Sequence, residues 1–231
     1  MKIALIGYGA MGRLIHRLAE EKGHVVAVTI DDADSGLSAA ELAGRLQGVD
    51  VAIDFTAAAA VRRNVEACVA AGVPLVEGTT GWNDSRTEIE SIVRDGGGAI
   101  VFGANFSIGV NLFYKIAEFA SELFARFPEY ETFIEEQHHS RKKDAPSGTA
   151  LKIKEIVTRH VEVGDIAATR AGNIPGTHTV GFDGPADQIT LTHTARSREG
   201  FALGAITAAE WIIGKTGFYE FGDVMDEILK K

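Results

Sequence analysis

The sequence predicts an α/β protein, with a doubly wound parallel sheet in one domain and a mainly antiparallel sheet in a second, α+β domain. In the first part of the chain, short apolar runs alternate with helix-like segments. That order builds a parallel sheet through right-handed crossovers. Later in the chain, period-two runs follow one another without intervening helices, a pattern typical of antiparallel strands. A length of 231 residues is enough for two small domains.

The first apolar run, Lys2–Ile6, reads as a buried strand and leads into the sequence GYGAMG, after which a helical pattern runs from residue 11 to residue 22. A G-x-G-x-x-G motif between a strand and a helix is typical of a Rossmann-type dinucleotide site. Gly7 permits the tight turn, Gly9 lets the backbone approach a pyrophosphate, and Gly12 permits close helix packing. A purely structural glycine turn is the alternative. The candidate cofactor contacts are Gly7, Tyr8, Gly9, Ala10, Met11 and Gly12.

The next strand, His24–Ile30, ends at Asp31 and Asp32. An acidic residue about twenty positions after such glycines bonds the ribose hydroxyls of the cofactor. Asp31 fits that role, and a solvated turn is the alternative reading of the segment. No Arg or Lys occurs between this strand and Arg45. We therefore expect NADH to be preferred, with NADPH as a possible cofactor.

Three loops follow later strands of the same sheet. The predicted elements are a helix at 38–46, a strand at 49–55, a helix at 57–71 closed by Gly72, a strand at 74–76, a helix from Asn83 or Asp84 to about Arg94, and a strand at 99–102. The loops at 54–56, 78–81 and 103–107 lie at the carboxyl ends of these strands, where doubly wound sheets bind ligands. We expect them to line the cofactor cleft, Phe55 and Thr56 included; ordinary loops are the alternative.

The second domain is predicted to begin with a long amphipathic helix, Gly109–Phe127, which Pro128 ends. A strand-like run at 130–136, a helix from 148 to 160 and period-two runs at 168–183 and 188–195 follow. Helices at 201–213 and 223–229 then return to the first domain. The predicted boundaries are residues 1–107 with 199–231 for the dinucleotide-binding domain, and 108–198 for the second domain.

The stretch Glu135–Ala150 concentrates the polar chemistry of the chain. It could be a solvated surface loop, but it lies between a strand-like run and a helix start, an arrangement that often builds a site. A histidine suits proton delivery because its pKa is near neutral, and Lys142 could stabilise developing negative charge. The amides at the helix start suit a carboxylate, and Arg170 and Arg198 could supply further charge.

Metal binding is not expected from the adjacent histidines, because a zinc site needs three or four suitably spaced ligands. The single cysteine, Cys68, is remote in sequence and lies in an Ala-rich apolar segment.

The segment HHSRKKDAPSGTA, from His138 to Ala150, resembles the HHxxKxDAPSGTA signature of the 4-hydroxy-tetrahydrodipicolinate reductase family, also called dihydrodipicolinate reductases. IDFT, GTTG and ANFSIGVN are similar to loops on the nicotinamide side in the same family. The glycine loop departs from the family's common G-x-x-G-R-M-G form, which leaves open which amides contact the phosphates.

The resemblance implies NAD(P)H-dependent reduction of 4-hydroxy-tetrahydrodipicolinate, a cyclic dicarboxylate, with loss of water, in diaminopimelate and lysine biosynthesis. It implies that His138 is the proton donor and Lys142 the second catalytic group, and that His139, Gly148 and Thr149 bind the substrate carboxylates. The implied cofactor contacts in the later loops are Gly78, Thr79, Thr80, Gly103, Ala104, Asn105 and Phe106. It also implies that the second domain binds substrate and that its sheet builds an oligomer, a homotetramer.

The composition of the chain argues against several other classes of function. The formal net charge of −9 argues against general binding of nucleic acid. No apolar run approaches the length of a membrane span, and a single cysteine fits a reduced compartment, the cytoplasm. Two other functions remain open from the residues alone: a two-domain dehydrogenase acting on an amino acid or semialdehyde, and a non-catalytic nucleotide-sensing protein.

Overall fold

The computed structural model describes residues 1–230 of the chain, in two compact units. The first contains Met1–Ile108 and the C-terminal residues from Glu199 onward, and the second contains Gly109–Arg198. Within residues 1–230, no helix is both long and apolar enough to cross a membrane.

A six-stranded parallel sheet forms the centre of the first unit. Its strands are β1 (Lys2–Ile6), β2 (Val25–Ile30), β3 (Val51–Asp54), β4 (Leu75–Glu77), β5 (Ala99–Phe102) and β10 (Gly217–Glu220). They lie in the order β10-β5-β4-β3-β1-β2, and every neighbouring pair is parallel. The chain moves outward from β1 to β2 and then returns to β3 on the other side of β1. This reversal makes the carboxyl ends of β1 and β3 the place where such a sheet binds its ligand.

Helices connect these strands and pack on the sheet. They are α1 (Ala10–Glu21), α2 (Ala39–Arg45), α3 (Ala58–Ala71), α4 (Arg86–Asp95), α7 (Glu199–Ile212) and α8 (Phe221–Leu229). Ser38 begins α2 with a capping box, since its hydroxyl accepts from the Glu41 amide and the Glu41 carboxylate accepts from the Ser38 amide. Gly72 ends α3 in the left-handed conformation, with a φ of 67°, as predicted.

Most elements of the first unit lie within about two residues of the predicted bounds, and two larger differences have a physical reason. The helix predicted to start at Asn83 or Asp84 starts at Arg86, because a short 3-10 turn, Asn83–Ser85, precedes it. Strand β10 was not predicted. It has four residues, begins with a glycine and pairs with only one neighbour, β5, so its sequence carries little strand pattern.

The second unit contains a four-stranded mixed sheet and two helices. Its elements are α5 (Ile108–Phe124), β6 (Glu131–His138), α6 (Gly148–Val157), β7 (Ala167–Arg170), β8 (Thr177–Asp183) and β9 (Gln188–Thr194), and the strands lie in the order β7-β6-β8-β9. The pairs β6–β8 and β8–β9 are antiparallel, as predicted. The prediction of an antiparallel strand was wrong for β7, which runs parallel to β6. Because α6 separates β6 from β7 in the chain, the second strand returns in the same direction as the first.

One face of this sheet holds the apolar core of the second unit. Its buried members are Phe113, Ala117, Ile134, Ile153, Val157, Val180 and Phe182. Strand residues alternate between the two faces, so Glu136 and His138 of β6 lie on the same face as Ile134. The register places His178 of β8 opposite Glu136. Three ionisable side chains therefore meet at the edge of an apolar core.

Candidate active site

A buried carboxylate lies at the centre of the polar cluster in the second unit. Oε1 of Glu136 accepts hydrogen bonds from the Ser147 amide at 2.9 Å and from Nη2 of Arg170 at 2.6 Å. Its other oxygen, Oε2, lies 2.9 Å from Nδ1 of His138 and 3.8 Å from Nε2 of His178. Burial raises the pKa of Glu136, but the bonds from Ser147 and Arg170 outweigh burial and leave it below its usual value. Glu136 is therefore ionised at neutral pH.

His138 is the last residue of β6 and is almost fully buried. Burial lowers the pKa of its imidazole, the Glu136 carboxylate raises it, and the cations of Lys142 and Arg170 lower it, so the net shift is downward. Nε2, on the opposite side of the ring from Glu136, faces Gly176. A Cβ added at Gly176 would lie 3.0 Å from that nitrogen.

His178 is the third ionisable side chain of the cluster and is buried. Its Nε2 lies 3.2 Å from Oγ of Ser147, at hydrogen-bond distance. Burial, and then the neighbouring charge of His138, lower the pKa of His178 to about 4. His178 is therefore a neutral imidazole at neutral pH, and it connects β8 to the start of α6.

The start of α6 is built by residues of the predicted signature. Ser147 caps the helix, and its hydroxyl accepts from the Ala150 amide at 3.2 Å. A Cβ added at Gly148 would meet nothing within 4 Å, so the backbone is open to a ligand there. The Thr149 side chain hydrogen-bonds to Tyr114 of α5; burial raises the pKa of Tyr114 to about 12, against the effect of that bond.

Lys142 and His139 lie in the segment between β6 and α6. The Nζ atom of Lys142 lies 2.8 Å from Oδ1 of Asp144, and a quarter of the Lys142 side chain is exposed. His139 follows the end of β6 directly and is half-buried. Among residues 1–230, its buried Nδ1 finds no hydrogen-bond partner. Because β6 ends at His138, the alternation of side chains along a strand does not fix where His139 points relative to His138.

Glu136, His138 and His178 place one potential metal-ligand atom each within 4.8 Å of one another. A cation there would meet the guanidinium of Arg170, which already occupies the same carboxylate. The absence of a metal site stays a prediction.

In the first unit, the glycine loop makes a tight turn and leaves the start of α1 open. Gly7 has a φ of +89°, and a Cβ there would lie 2.3 Å from the Phe55 carbonyl oxygen. A Cβ on Gly12 would lie 2.1 Å from the Gly7 carbonyl oxygen. Gly9 is different: it begins α1, and a Cβ there would meet nothing within 4 Å. The fold itself thus requires glycine at two positions, and Gly9 leaves the helix N-terminus open for an anion.

Asp31 lies at the end of β2, beside this loop, because the Gly7 amide donates to the Ile30 carbonyl at 2.8 Å. The Asp31 carboxylate accepts from the Asp32 amide at 2.9 Å and begins a 3-10 turn. Two cations from later helices also reach this turn: Arg45 pairs with Asp34 at 3.2 Å, and Arg63 donates to the Ser35 carbonyl at 2.6 Å. The sequence did not reveal these two contacts.

The structure brings the three predicted cofactor loops into contact. The Thr56 amide donates to Oγ1 of Thr79 at 2.9 Å. A Cβ on Gly78 would lie 2.2 Å from the Phe55 ring. The Phe55 ring packs edge-on against that of Phe106, with centroids 6.3 Å apart. Thr80, Gly103, Ala104 and Asn105 lie in the same loops. All of these sequence-predicted residues therefore lie at one end of the sheet.

Sequence reasoning missed three residues of the cluster in the second unit: Glu136, His178 and Gly176. Only the pairing of β6 with β8 brings the first two together, and no local pattern encodes it. Arg170, considered as a source of charge for the substrate, pairs with the buried carboxylate of Glu136; its role toward a substrate stays a prediction. Arg198 lies between β9 and α7.

Comparisons with known proteins agree along the whole chain. A family model described as dihydrodipicolinate reductase, N-terminus, matches residues 1–106, and one described as dihydrodipicolinate reductase, C-terminus, matches residues 109–225. Proteins named 4-hydroxy-tetrahydrodipicolinate reductase are 35% identical in Christiangramia forsetii, over 100% of both chains, and 37% identical in Archaeoglobus fulgidus, over 98% of this chain and 100% of that one.

Solved structures show the same fold. A dipicolinate-bound dihydrodipicolinate reductase from Paenisporosarcina sp. TG-14 has a TM-score of 0.78 at 20% identity, covering 97% of this chain and 99% of that chain. A probable dehydrogenase from Thermotoga maritima has a TM-score of 0.61 at 10% identity, with 99% and 94% coverage. The predicted fold class, a Rossmann-type parallel sheet with a second α+β unit, is confirmed. The family matches over both units also confirm the resemblance, and this chain belongs to the dihydrodipicolinate reductase family.

Proposed function

We propose that this chain reduces 4-hydroxy-tetrahydrodipicolinate to tetrahydrodipicolinate with NADH or NADPH and loss of water, a step of diaminopimelate and lysine biosynthesis. Family membership over both units supports the reaction. The observation that assigns the chemistry to particular residues is the buried pair of Glu136 and His138. Lys142 lies four residues after His138 in the same signature.

His138 delivers the proton in this proposal. When bound, the nicotinamide would supply a hydride to ring C4 of the substrate, and the hydroxyl group at C4 would leave as water. The negative charge of Glu136 faces Nδ1 of His138 and favours the doubly protonated ring, from which Nε2 donates its proton. Lys142 stabilises negative charge as it develops.

Substrate carboxylates bind at the start of α6. The amides of Gly148 and Thr149 lie in the first turn of the helix, where the dipole favours an anion. His139 assists from the segment before it. Dicarboxylic pyridine analogues should therefore inhibit competitively. Monocarboxylic analogues should be roughly ten- to a hundredfold weaker, since a charged hydrogen bond contributes about 1.5–3 kcal/mol. Equal inhibition by the two kinds of analogue would contradict the proposed carboxylate site at the start of α6.

The dinucleotide binds the first unit, residues 1–107 and 199–231 in this assignment, and the substrate binds residues 108–198. The glycine loop from Gly7 to Gly12, Tyr8, Ala10 and Met11 included, holds the pyrophosphate, and Asp31 bonds the ribose. The remaining contacts come from Phe55, Thr56, Gly78, Thr79, Thr80, Gly103, Ala104, Asn105 and Phe106. Asp31 makes NADH the preferred cofactor.

The second unit also builds a homotetramer, and the enzyme works in the cytoplasm. The face of its sheet opposite the apolar core is rich in threonine, and Thr179 and Thr192 bond across it at 3.0 Å. The assignment to the cytoplasm is supported by the single cysteine of the chain, Cys68, which is buried and fits a reduced compartment. Light scattering of the purified chain should give about four times the monomer mass of 24.6 kDa. A monomer would contradict the assembly and leave the reaction untouched.

The reaction is tested with the purified chain, NADH and freshly made dehydratase product, by following the absorbance of NADH. His138→Ala should lower kcat by roughly 10²–10⁴-fold, while NADH fluorescence titration should give an unchanged Kd. His160→Ala, a histidine outside the cluster, is the matched control and should behave like the unaltered protein. Turnover by His138→Ala at the normal rate would contradict the assignment of His138 as the proton donor. No turnover by the unaltered protein would contradict the proposed substrate.

A further inference from the structure

Two acidic side chains lie next to each other in the interior of the first unit. Asp54 is the last residue of β3 and Glu77 is the last residue of β4. The two strands pair in parallel, with Asp54 and Glu77 as direct partners in the register, so their side chains lie on the same face of the sheet. Both residues have 0% of their surface exposed. Neither has a role in the proposed reaction.

Hydrogen bonds account for three of the four carboxyl oxygens. Oδ2 of Asp54 accepts from Nδ2 of Asn64 at 2.6 Å, and its Oδ1 accepts from the Thr79 hydroxyl at 3.5 Å. Oε1 of Glu77 accepts from the Thr79 amide at 2.8 Å. Within residues 1–230, Oε2 of Glu77 has no protein donor.

No cation compensates this pair among the described residues. The nearest cationic contact is indirect: Arg63 donates to Oδ1 of Asn64 at 3.1 Å and 3.0 Å, and Asn64 in turn donates to Asp54. The other titratable group facing the pair is the buried thiol of Cys68, whose pKa is raised by burial and then by both acids. Two adjacent buried carboxylates without a cation are strongly disfavoured. One proton between them removes the repulsion between two negative charges, and the donors on Asp54 then stabilise the single charge that remains.

The hydrogen-bond donors around the pair indicate which of the two carboxyl groups carries the proton. The Thr79 hydroxyl and the Asn64 amide both donate to Asp54, so Asp54 serves as the acceptor. A proton on Oε2 of Glu77 turns the one unpartnered oxygen into a donor toward Asp54. Burial raises the pKa of both groups, and the neighbouring charge of Asp54 helps to raise that of Glu77 well above its usual value.

This pair also lies under two of the cofactor loops. Oγ1 of Thr79 donates to Asp54 and at the same time accepts from the Thr56 amide at 2.9 Å. The direction of the Thr79 hydroxyl is therefore fixed by Asp54, and the same hydroxyl joins the loop after β3 to the loop after β4. Glu77 fixes the Thr79 amide independently.

We infer that Asp54 and Glu77 share one proton, held on Glu77, and that this singly charged pair positions Thr56 and Thr79 for the dinucleotide. They are positioning residues that do not themselves contact the cofactor. The inference rests on the proposed function only in assigning the dinucleotide to these loops.

The test compares Glu77→Gln with Glu77→Met. Glutamine keeps an acceptor for the Thr79 amide and a donor toward Asp54, but it cannot titrate. Methionine removes both contacts at similar volume. Glu77→Gln should bind NADH within about threefold of the unaltered protein, and Glu77→Met should bind it about tenfold or more weakly, as expected when buried hydrogen-bonding partners are lost. Glu88→Gln, an exposed residue of α4, is the matched control.

A spectroscopic readout identifies the proton itself. At neutral pH, the infrared difference spectrum between the unaltered protein and Glu77→Gln should contain the C=O band of a protonated carboxylic acid. That band should be missing from the difference for Glu88→Gln. A raised pKa means that the folded protein loses stability as pH rises above about 4.5, the usual value for this group. The stability advantage of Glu77→Gln should therefore widen with pH.

Absence of the carboxylic band, or NADH binding by a folded Glu77→Met at the normal Kd, would overturn the inference. If Glu77→Met fails to fold, the infrared band and the pH dependence of Glu77→Gln still decide. None of these measurements uses the substrate. A wrong substrate would therefore leave them unchanged, whereas loss of NADH binding by the unaltered protein would remove the proposed function itself.

Discussion

Nδ1 of His138 lies 2.9 Å from Oε2 of Glu136, a carboxylate whose side chain has no exposed surface. Burial and the cations of Lys142 and Arg170 lower the pKa of His138, and the Glu136 charge is the largest influence that raises it. The carboxylate is itself held ionised by Ser147 and Arg170. Glu136 therefore keeps a buried histidine able to carry the proton that the proposed mechanism requires from His138.

Glu136→Gln should shift the pH dependence of the reaction. A proton donor is active below its pKa, and activity is lost as pH rises through that pKa. Glutamine keeps an acceptor for the Ser147 amide but removes the charge, so the pKa of His138 should fall further. The loss of kcat/KM should therefore begin at lower pH, with the Kd for NADH unchanged. Glu135→Gln, at the exposed neighbouring position of β6, is the control, and an unshifted profile for Glu136→Gln would contradict this role.

Gly176→Ala should impair catalysis through His138. The added methyl group would lie 3.0 Å from Nε2, so the imidazole must move by a few tenths of an ångström. Because small misplacements of catalytic groups are costly, we expect kcat to fall about tenfold, with little change in the denaturation midpoint. At Gly164 a Cβ would meet nothing within 4 Å, so Gly164→Ala should leave kcat unchanged. Equal kcat values for the two variants would show that the ring tolerates the methyl group.

The sequence predicted the local parts of this protein better than the pairings between them. The glycine loop, the helix cap at Gly72 and the signature around His138 depend on neighbours in the chain, and local chemistry reveals them. The position of His178 opposite Glu136 depends on the register of two strands about forty residues apart. The parallel direction of β7 and the existence of β10 likewise arise from tertiary pairing, which overrides weak local patterns.

His178 should make the protein sensitive to acid. Its pKa is about 4 in the folded state, against about 6.5 when unfolded. A lowered histidine pKa means that stability is full above about 6.5 and is lost as pH falls toward 4, because the unfolded chain binds the proton more tightly. The loss is on the order of 3 kcal/mol. In urea unfolding at a series of pH values, His178→Gln should flatten this slope and His160→Gln should not. An unchanged slope in His178→Gln would place the acid sensitivity elsewhere.

The last prediction concerns the choice between NADH and NADPH. Asp31 directly follows β2 beside the glycine loop, where a carboxylate can accept hydrogen bonds from ribose hydroxyls. The 2′-phosphate of NADPH would meet that negative charge, and one like-charge pair at 4 Å costs from about 1 to about 4 kcal/mol between water-like surroundings and an effective dielectric of 20. Arg45 and Arg63 lie close to the same turn and offset part of the repulsion. We therefore expect NADH to be favoured about tenfold in kcat/KM at low salt, and less as salt screens the charges.

Two variants separate these contributions. Asp31→Ser should narrow the preference by improving the use of NADPH. Asp34→Ser should also improve it, because it releases Arg45 from its ion pair while leaving Asp31 in place. Side-by-side kinetics with both cofactors measure the ratio. Equal efficiency of the unaltered protein with NADPH at low salt, or an unchanged ratio in Asp31→Ser, would remove Asp31 from the ribose site. A response to Asp34→Ser alone would instead identify Arg45 as the residue that sets the preference.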